Sequence, residues 1–352
     1  GATGMVGDPS GRDAERNLLD DDGLAKNLEG ILPQLRMFLE FEGESAAKLL
    51  DNRAWTVGVS VLEFLRDIGK HVTVNQMVAK DSVKSRMSEG DGISYTEFSY
   101  MLLQGYDYLW LAENEKCELQ VGGSDQWGNI VLGADLIRRK LGQTAHALTW
   151  PLLTKPDGSK YGKTAGGETI WLSPEKMSPY RFYQAWISVD DSEVRKLLLQ
   201  LTFLSPDEID DLVAEHDQHP ENRLGQRTLA KELTAIVHGE QAAASAVEAS
   251  ELLFEPSADI SAVSESALEF ISREVPSTQT PTPQMAIIDC LVETGLCQSR
   301  KDAKRAITEG GIYVNGDRVN EAELSLTADH LLHGKYILLR RGKKLWHLLT
   351  SG

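Results

Sequence analysis

The amino-acid sequence predicts an α/β fold in three parts: an α/β domain, then an α-helical domain, then a small α+β domain. Three observations predict this order. A strand, a glycine-rich turn and a helix follow one another over residues 118–142. The residues Ser205 to Glu208 then fit a helix cap, and apolar residues recur at helical spacing from there to Gly239. Near the C-terminus, a basic helix is followed by two hairpin signals, one at Asn315 and Gly316 and one in residues 336–349, which fold back around Gly342.

The glycine-rich turn, GGSDQWGN at residues 122–129, is the first candidate ligand site. Residues 118–121 are predicted as a strand, and residues 130–141, closed by Gly142, as a helix. A strand, a glycine turn and a helix N-terminus form a unit that binds nucleotides, because backbone N–H groups can approach the ligand. An ordinary βα turn without a ligand is the alternative.

A second segment, KYGKT at residues 160–164, offers two ammonium groups and a hydroxyl. Gly162 keeps the segment flexible between Lys160 and Lys163, and Thr164 adds a donor, as loops that cradle phosphates require. Because turn residues precede it, a solvated hairpin is the alternative. Together with the turn at 122–129, the loop predicts a nucleoside triphosphate site.

A polar stripe marks the helix that precedes the glycine-rich turn. Ser94 and Glu97 fit a capping box, so a helix should begin there. Tyr100, Gln104 and Asp107 follow at spacings that place them on one face of it. A solvated stripe would more usually carry lysine and glutamate. These residues therefore predict a partly buried pocket for a small polar ligand.

Length and composition limit the classes of protein. A chain of 352 residues, 41% of them apolar, is long enough for two or three domains. No apolar run in the sequence reaches the length of a membrane span. The three cysteines, Cys117, Cys290 and Cys297, are odd in number and lack metal-binding spacing. These features predict a reduced cytoplasmic protein without a metal site.

The C-terminal tail differs from the rest in charge. The whole chain carries −17, yet residues 281–352 hold ten Lys and Arg against eight Asp and Glu, which makes this tail the best candidate for an RNA surface. A helix beginning at Ser299 would place four cations largely on one side: Arg300, Lys301, Lys304 and Arg305. A solvated charged face is the alternative. The proline- and threonine-rich stretch at 274–283 favours an extended, mobile linker ahead of the tail.

These segments, with the opening GATGMVGDPSG at residues 1–11, resemble bacterial tyrosyl-tRNA synthetase, a class I aminoacyl-tRNA synthetase, over essentially the whole chain. The loop at 160–164 is similar to the family's KMSKS loop, with tyrosine and glycine in place of methionine and serine. The resemblance implies four parts. They are a Rossmann-like catalytic domain (1–177), a helical domain facing the anticodon (178–254), a linker (255–284) and an RNA-binding domain of the ribosomal-protein S-four type (285–352).

The resemblance also implies a role for each candidate residue. Asp8, Tyr100 and Gln104 would hold the α-ammonium of tyrosine, Asp107 would bond its phenol, and Gln126 would lie near its carboxylate. Asn52 and Trp55 would line the same pocket, while Gly123 and Asp125 would lie near the ribose of ATP. Five residues would stabilise the phosphates during the reaction: Lys160, Lys163, Thr164, Arg12 and Arg16.

The reaction implied is attack of the tyrosine carboxylate on the α-phosphate of ATP, followed by transfer of the tyrosyl group to tRNA(Tyr). ATP would be a substrate accompanied by Mg²⁺, no tightly bound cofactor is expected, and the family implies a homodimer.

The sequence departs from the family at its start. None of the eight histidines begins the His-x-Gly-His signature, and the chain opens within the family's pattern. The first part of the sheet, roughly 70 residues on the scale of a βαβ motif, is therefore expected to be missing. We accordingly expect slow adenylate formation and a loosened sheet edge. An RNA-binding protein that kept the synthetase body but lost catalysis is the alternative. A tryptophanyl enzyme is a lesser one, disfavoured by Asp107 and the tail.

Overall fold

The computed structural model describes residues 1–7, 20–80, 83–84, 87, 93–155, 161, 169–255, 258–280 and 284–351. The chain divides into two compact units, Gly1–Tyr161 and Gly162–Gly352. Among the residues described, no helix has the length and apolar character needed to cross a membrane.

The first unit contains a small parallel sheet and a set of helices. Strand β1 (Leu119–Gly123) runs parallel to β2 (His146–Trp150), with Leu119 opposite His146 and Gly123 opposite Trp150. The helices of this unit are α1 (Ala2–Val6), α2 (Asp21–Leu35), α3 (Arg53–Thr56), α4 (Val61–Asp67), α5 (Val74–Val78), α6 (Tyr95–Glu115) and α7 (Trp127–Leu141). Short 3₁₀ turns cover Gly69–His71 and Ser124–Gln126.

Helix α6 begins where the capping box predicts. The Ser94 side chain accepts a hydrogen bond from the backbone N–H of Glu97, and the Glu97 carboxylate accepts one from the backbone N–H of Ser94. Such a cap stabilises a helix by about 1 kcal/mol. The helix ends at Lys116, which adopts a left-handed conformation with φ of 60°. The long helix predicted for the polar stripe is therefore confirmed.

Helices α6 and α7 pack closely because each carries a glycine at their crossing. A Cβ at Gly133 would lie 2.9 Å from the Cβ of Tyr108, and one at Gly105 would overlap the side chain of Leu132. Tyr108 is fully buried, and its hydroxyl lies 2.9 Å from the carbonyl oxygen of Glu118 and 2.7 Å from that of His146. This one hydroxyl therefore ties α6 to the start of β2 and to the residue before β1.

The second unit begins with a bundle of helices. They are α8 (Pro179–Ile187), α9 (Asp191–Leu201), α10 (Pro206–Gln218), α11 (Leu224–His238) and α12 (Glu240–Phe254), with a 3₁₀ turn at Pro220–Asn222. The capping box predicted at Ser205 is present, and Gly239, with φ of 88°, ends α11 as the sequence indicates. Alanines on α12, among them Ala243, Ala246 and Ala249, are fully buried, which lets neighbouring helices approach closely.

The C-terminal part of the second unit is an α+β fold. Its main sheet has the order β3-β9-β8-β5-β6, and β4 pairs with β7 in a separate antiparallel ladder. The strands are β3 (Ser277–Thr280), β4 (Met285–Ala286), β5 (Ile312–Val314), β6 (Asp317–Arg318), β7 (Ser325–Leu326), β8 (Tyr336–Arg341) and β9 (Leu345–Ser351). The helices are α13 (Glu265–Glu274), α14 (Ile287–Glu293) and α15 (Arg300–Thr308), with 3₁₀ turns at Ile260–Ala262 and Ala328–His330.

The two predicted hairpins of this domain are confirmed. Asn315 and Gly316 join β5 to β6, and both have positive φ, 49° and 88°, as a tight hairpin turn of this kind requires. Strands β8 and β9 pair antiparallel around Gly342, whose φ is 63°.

The linker predicted at residues 255–284 contains two regular elements, helix α13 and strand β3. The extended, mobile segment expected at 274–283 is wrong for residues 277–280, which form a paired strand. Helix α13 buries Ala267, Leu268 and Ile271 completely, and β3 pairs in parallel with β9. The Pro and Thr content suggested a solvated segment, and the side chains of Ser277, Thr278 and Gln279 are exposed, but their backbone is paired with β9. Arg181 Nε lies 3.1 Å from the Glu274 carboxylate, so α13 is also tied to α8.

Candidate functional site

The Asp107 carboxylate on α6 is the centre of a hydrogen-bonded cluster. Its Oδ2 accepts a hydrogen bond from Asn52 Nδ2 at 2.7 Å, and its Oδ1 accepts one from the indole Nε1 of Trp55 at 2.9 Å. Asn52 Nδ2 also donates to the hydroxyl oxygen of Thr3 at 2.9 Å. The structure thus brings together Asn52, Trp55 and Asp107, three residues that the sequence assigned to one pocket.

Aromatic rings form a wall of this cluster. The indoles of Trp55 and Trp110 stack with their centroids 4.1 Å apart and their planes 7° from parallel. The ring of Tyr106 meets Phe64 edge-on, with centroids 6.1 Å apart. Stacking of this kind restricts the indole of Trp55, so its N–H remains directed at Asp107.

Burial raises the pKa of the Asp107 carboxyl above its ordinary value, while the hydrogen bonds from Asn52 and Trp55 act in the opposite direction. An ionised carboxylate offers about four positions for hydrogen bonds. The two neutral donors fill two of them. Asp107 therefore keeps the capacity to accept a bond from a further hydroxyl group.

One turn before Asp107, Gln104 belongs to a second polar network. Asn129, near the start of α7 and 8% exposed, donates from Nδ2 to Gln104 Oε1 at 3.0 Å. The same Nδ2 lies 3.4 Å from Gln126 Oε1, and Gln104 Nε2 lies 3.4 Å from Gln120 Oε1. The predicted pair Gln104 and Gln126 is therefore joined through the amide of Asn129.

Lys80 supplies the charge of this network. Its Nζ donates to the carbonyl oxygen of Gly128 and lies 3.4 Å from Asn129 Oδ1. Burial lowers the pKa of this ammonium to about 8. Lys80 also lines a cavity of about 490 Å³. Other residues that line it are Val72, Gln76, Trp127, Asp135, Arg138 and Arg139.

Tyr100 is buried one turn before Gln104, on the predicted face of α6. The turn that follows β1 places Gly123 and Asp125 at the carboxyl end of this strand, the end at which ligands bind to open α/β sheets. A Cβ at Gly123 would lie 2.8 Å from Leu152 Cδ2 and 2.9 Å from Asp125 Oδ1. Because its φ is −66°, the backbone at Gly123 does not require glycine, and a side chain here would have to displace the ends of the Leu152 and Asp125 side chains.

Six predicted site residues lie outside the residues that the structure describes: Asp8, Arg12, Arg16, Lys160, Lys163 and Thr164. Their roles stay predictions from the sequence.

Comparison with known proteins decides the family. The profile described as "tRNA synthetases class I (W and Y)" matches residues 1–255, and that of the "Tyrosine--tRNA ligase SYY-like C-terminal domain" matches residues 267–349. The tyrosine–tRNA ligase of Opitutus terrae is 49% identical over 98% of this chain and 82% of its own length. That of Geobacillus stearothermophilus is 47% identical over 99% of this chain and 83% of its own length. The chain belongs to the tyrosine–tRNA ligase family.

A solved structure of the family agrees. A C-terminally truncated mitochondrial tyrosyl-tRNA synthetase from Aspergillus nidulans superposes with a TM-score of 0.60 at 30% identity, over 72% of this chain and 74% of that one. The class I synthetase fold expected from the sequence is therefore confirmed. The profile of the C-terminal domain begins within α13, which agrees with the finding that this helix is no linker.

The C-terminal domain of this ligase carries the four predicted RNA-binding cations on α15, and all four side chains are exposed. Arg300 pairs with Asp289 at 3.0 Å, and Arg305 pairs with Asp302 at 2.9 Å. Counting cations along the sequence did not reveal these acidic partners. Lys301 and Lys304 add their charges to the same helix.

Sequence reasoning assigned no role to five residues of the two clusters: Thr3, Lys80, Trp110, Gln120 and Asn129. Asn129 was within the motif at 122–129, so a buried amide next to two predicted glutamines was open to prediction. Trp110 follows Asp107 by three positions and therefore lies on the same side of α6. No local pattern marks Lys80 or Thr3, because their partners are distant in the sequence.

Proposed function

We propose that this chain activates tyrosine with ATP, forming tyrosyl-adenylate, and transfers the tyrosyl group to tRNA(Tyr). The observation that carries the proposal is the Asp107 carboxylate, which is half-buried, held by Asn52 and Trp55, and able to accept one more hydrogen bond. A phenol hydroxyl is such a donor. Phenylalanine would leave this position of the half-buried carboxylate unfilled, and tyrosyl-tRNA synthetases are the standard example of this kind of selection.

The other end of tyrosine would meet the network around Gln104. Tyr100, Gln104 and Asp8 would hold the α-ammonium, and Gln126 would lie near the carboxylate. Support comes from the Asn129 amide, which contacts both Gln104 and Gln126 and so places their amides side by side. Gln104 itself lies one helical turn before Asp107 on α6. A ligand bound by both clusters would be recognised at its phenol and at its amino-acid group.

ATP is used by the tyrosine–tRNA ligase family. Here its ribose would lie near Gly123 and Asp125, at the carboxyl end of β1. It would enter as its Mg²⁺ complex, with the metal arriving on the phosphates of the substrate. Lys160, Lys163, Thr164, Arg12 and Arg16 would stabilise negative charge as pyrophosphate departs. Catalysis then depends on positioning and on cations, without a covalent nucleophile.

The second unit would serve the tRNA. Its helices 178–254 would face the anticodon, and the exposed cations Arg300, Lys301, Lys304 and Arg305 would meet phosphates of the RNA. We also propose a homodimer and a cytoplasmic location. The free, buried thiols of Cys290 and Cys297 favour a reducing compartment.

Two measurements on the chain test this proposal. Isothermal titration should show binding of tyrosine, with phenylalanine and tryptophan at least about a hundredfold weaker, because neither presents a phenol to Asp107. Comparable affinities for the three amino acids would refute the assignment. Tyrosine-dependent exchange of pyrophosphate into ATP then reports activation. Selective binding without any exchange would instead favour the alternative, an RNA-binding protein that has lost catalysis.

A further inference from the structure

A cavity of about 350 Å³ lies among three helices of the second unit: α8, the start of α11 and the end of α12. Its wall includes Tyr183, Arg223 and Glu251, which carry a phenol, a guanidinium and a carboxylate. We propose that this cavity binds a guanine base. A free guanine nucleotide and an unpaired guanosine of an RNA offer the same chemistry, so competition between the two identifies the source.

The hydroxyl of Tyr183 is the first observation that indicates a ligand. The residue is 3% exposed and lines the cavity, and no other residue in the described part of the chain exchanges a hydrogen bond with its hydroxyl. Burial raises the pKa of this phenol to about 12. The charges that act on it belong to Arg227, Glu251 and Glu255, which line the same cavity. A buried phenol normally has a polar partner, and a ligand in the cavity would supply one.

Two opposite charges of the cavity are also available. Within the ranges that the structure describes, no ion pair or side-chain hydrogen bond joins Arg223 or Glu251 to another residue. Arg227, in contrast, is paired with Glu255 at 2.7 Å, so these two charges satisfy each other. A ligand that offers donors to the Glu251 carboxylate and acceptors to the Arg223 guanidinium would satisfy the remaining two.

The backbone of Arg223 supports a role for its side chain. This residue precedes α11 as its N-cap and has a φ of 52°, in the left-handed region that residues other than glycine rarely adopt. Glycine or asparagine would adopt this conformation at lower cost. An arginine held there is explained if its guanidinium has a task at the cavity, since strained residues cluster at ligand sites.

Guanine has the combination of groups that the cavity requires. Its N1–H and 2-amino group are adjacent donors, which match the two oxygens of a carboxylate. Its O6 and N7 are adjacent acceptors, which match the fork of a guanidinium. Adenine, cytosine and uracil do not offer two adjacent donors. Phe254, which is 68% exposed, and Ile187 add apolar surface of the kind against which an unstacked base packs.

The test compares guanosine monophosphate with inosine monophosphate, which lacks only the 2-amino group, by saturation-transfer NMR titration of the whole chain. The monophosphates of adenosine, cytidine and uridine complete the series. We expect guanosine monophosphate to bind about tenfold more tightly than each of the others. Glu251→Gln should remove the preference over inosine monophosphate, because an amide offers a single acceptor oxygen. Tyr183→Phe and Arg223→Met should each weaken guanosine monophosphate about threefold or more.

Tyr180→Phe and Glu240→Gln are the matched controls. Tyr180 is also buried on α8, and Glu240 is also exposed on α12, but neither lines the cavity. Both variants should bind the nucleotides as the unaltered chain does. No binding of guanosine monophosphate, equal affinity for the five nucleotides, or a preference that Glu251→Gln leaves unchanged would overturn the inference. An equal loss in the controls would do the same.

Competition with tRNA(Tyr) then identifies the source of the base. Displacement of guanosine monophosphate by tRNA would assign the cavity to an unpaired guanosine of the RNA, and simultaneous binding of both would assign it to a free nucleotide. Either result supports a guanine site. For the RNA source, the inference rests on the proposed role of the second unit in binding tRNA. A chain that does not bind tRNA would refute that role, whereas the nucleotide titration tests the cavity alone.

Discussion

Asp107 on α6 and Asp302 on α15 are two carboxylates with opposite tasks. Asp107 accepts bonds from two neutral groups, the Asn52 amide and the Trp55 indole, and burial raises its pKa. Asp302 accepts two bonds from the Arg341 guanidinium, at 2.8 and 3.0 Å, and these hold its pKa below the ordinary value. Arg305 adds a further bond at 2.9 Å.

The difference shows how the surroundings of a carboxylate decide its use. Cations fill the positions around Asp302 and neutralise it, so it connects α15 to β8 and leaves little for a ligand. Neutral donors orient Asp107 without neutralising it, which preserves its charge and its acceptor capacity. A partly buried carboxylate that stays charged without a cationic partner lowers the stability of the fold, but it can select a ligand that carries a hydroxyl group.

The largest expected effect comes from removing the charge at the first site. In Asp107→Asn, the new NH₂ group would face the N–H donor of Asn52 or of Trp55. The side chain would also accept a hydrogen bond from the phenol less strongly. We expect the preference for tyrosine over phenylalanine to fall about a hundredfold or more, with ATP affinity changed less than threefold. Titration of both amino acids and of ATP measures this. If the two amino acids lost affinity equally, Asp107 would not be the residue that reads the phenol.

A smaller effect should follow from removing one neutral donor. Trp55→Phe retains an aromatic ring for the stack with Trp110 but deletes the N–H that bonds Asp107. We expect tyrosine to bind about tenfold more weakly. Trp110→Phe is the control, because it changes the same stack without touching a donor to the carboxylate. A similar loss in both variants would assign the effect to stacking.

At the second site, the expected effect is on stability alone. Asp302→Asn would leave Arg341 without its anionic partner and Arg305 with only the longer contact to Glu309, at 3.9 Å, so thermal unfolding of the second unit should begin a few degrees lower. Tyrosine affinity should be unaltered. Calorimetric scanning and tyrosine titration measure the two quantities, and a change in tyrosine binding would contradict the separation of the sites.

Lowering the pH should change the contributions of these two carboxylates to folding stability in opposite directions. The lowered pKa of Asp302 contributes stability that is present above the unfolded value near 3.8 and is lost as pH falls through the folded value. The raised pKa of Asp107 means that the folded state takes up its proton at higher pH than the unfolded chain. Its contribution therefore becomes more favourable as pH falls toward 3.8, while phenol binding is lost in the same step.

Amide hydrogen exchange in increasing urea, repeated from pH 6 to pH 3, measures the free energy of unfolding of each unit separately. The difference between the unaltered chain and Asp302→Asn should shrink at low pH. Ionised Asp107 lowers the free energy of unfolding relative to the Asp107→Asn variant. This difference should also shrink on acidification, but at higher pH, because the pKa of Asp107 is raised. The same sign of change in stability for both carboxylates on acidification would contradict the pKa directions.

The sequence alone determined the features that depend on near neighbours. The Ser94 and Ser205 caps, the Asn315–Gly316 hairpin and the single face shared by Tyr100, Gln104 and Asp107 all depend on residues within a few positions of one another. Such interactions form in the same way wherever the segment lies, so a local pattern suffices to predict them. The family resemblance added Asn52 and Trp55, whose place beside Asp107 no spacing could indicate.

Tertiary structure decided which groups become partners across long separations. Strand β3 is polar and lies between Pro276 and Pro281, and only its pairing with β9, in which Ser277 is opposite Leu348, makes it part of a sheet. Arg300 adds to a basic helix in the sequence, but the folded chain places Asp289 of α14 against it. No local pattern in the sequence distinguishes Lys80 from the other lysines, but in the folded chain it lies against Gly128 and beside Asn129. The physical reason is common to all three: burial and charge pairing depend on distance in space, which local sequence does not specify.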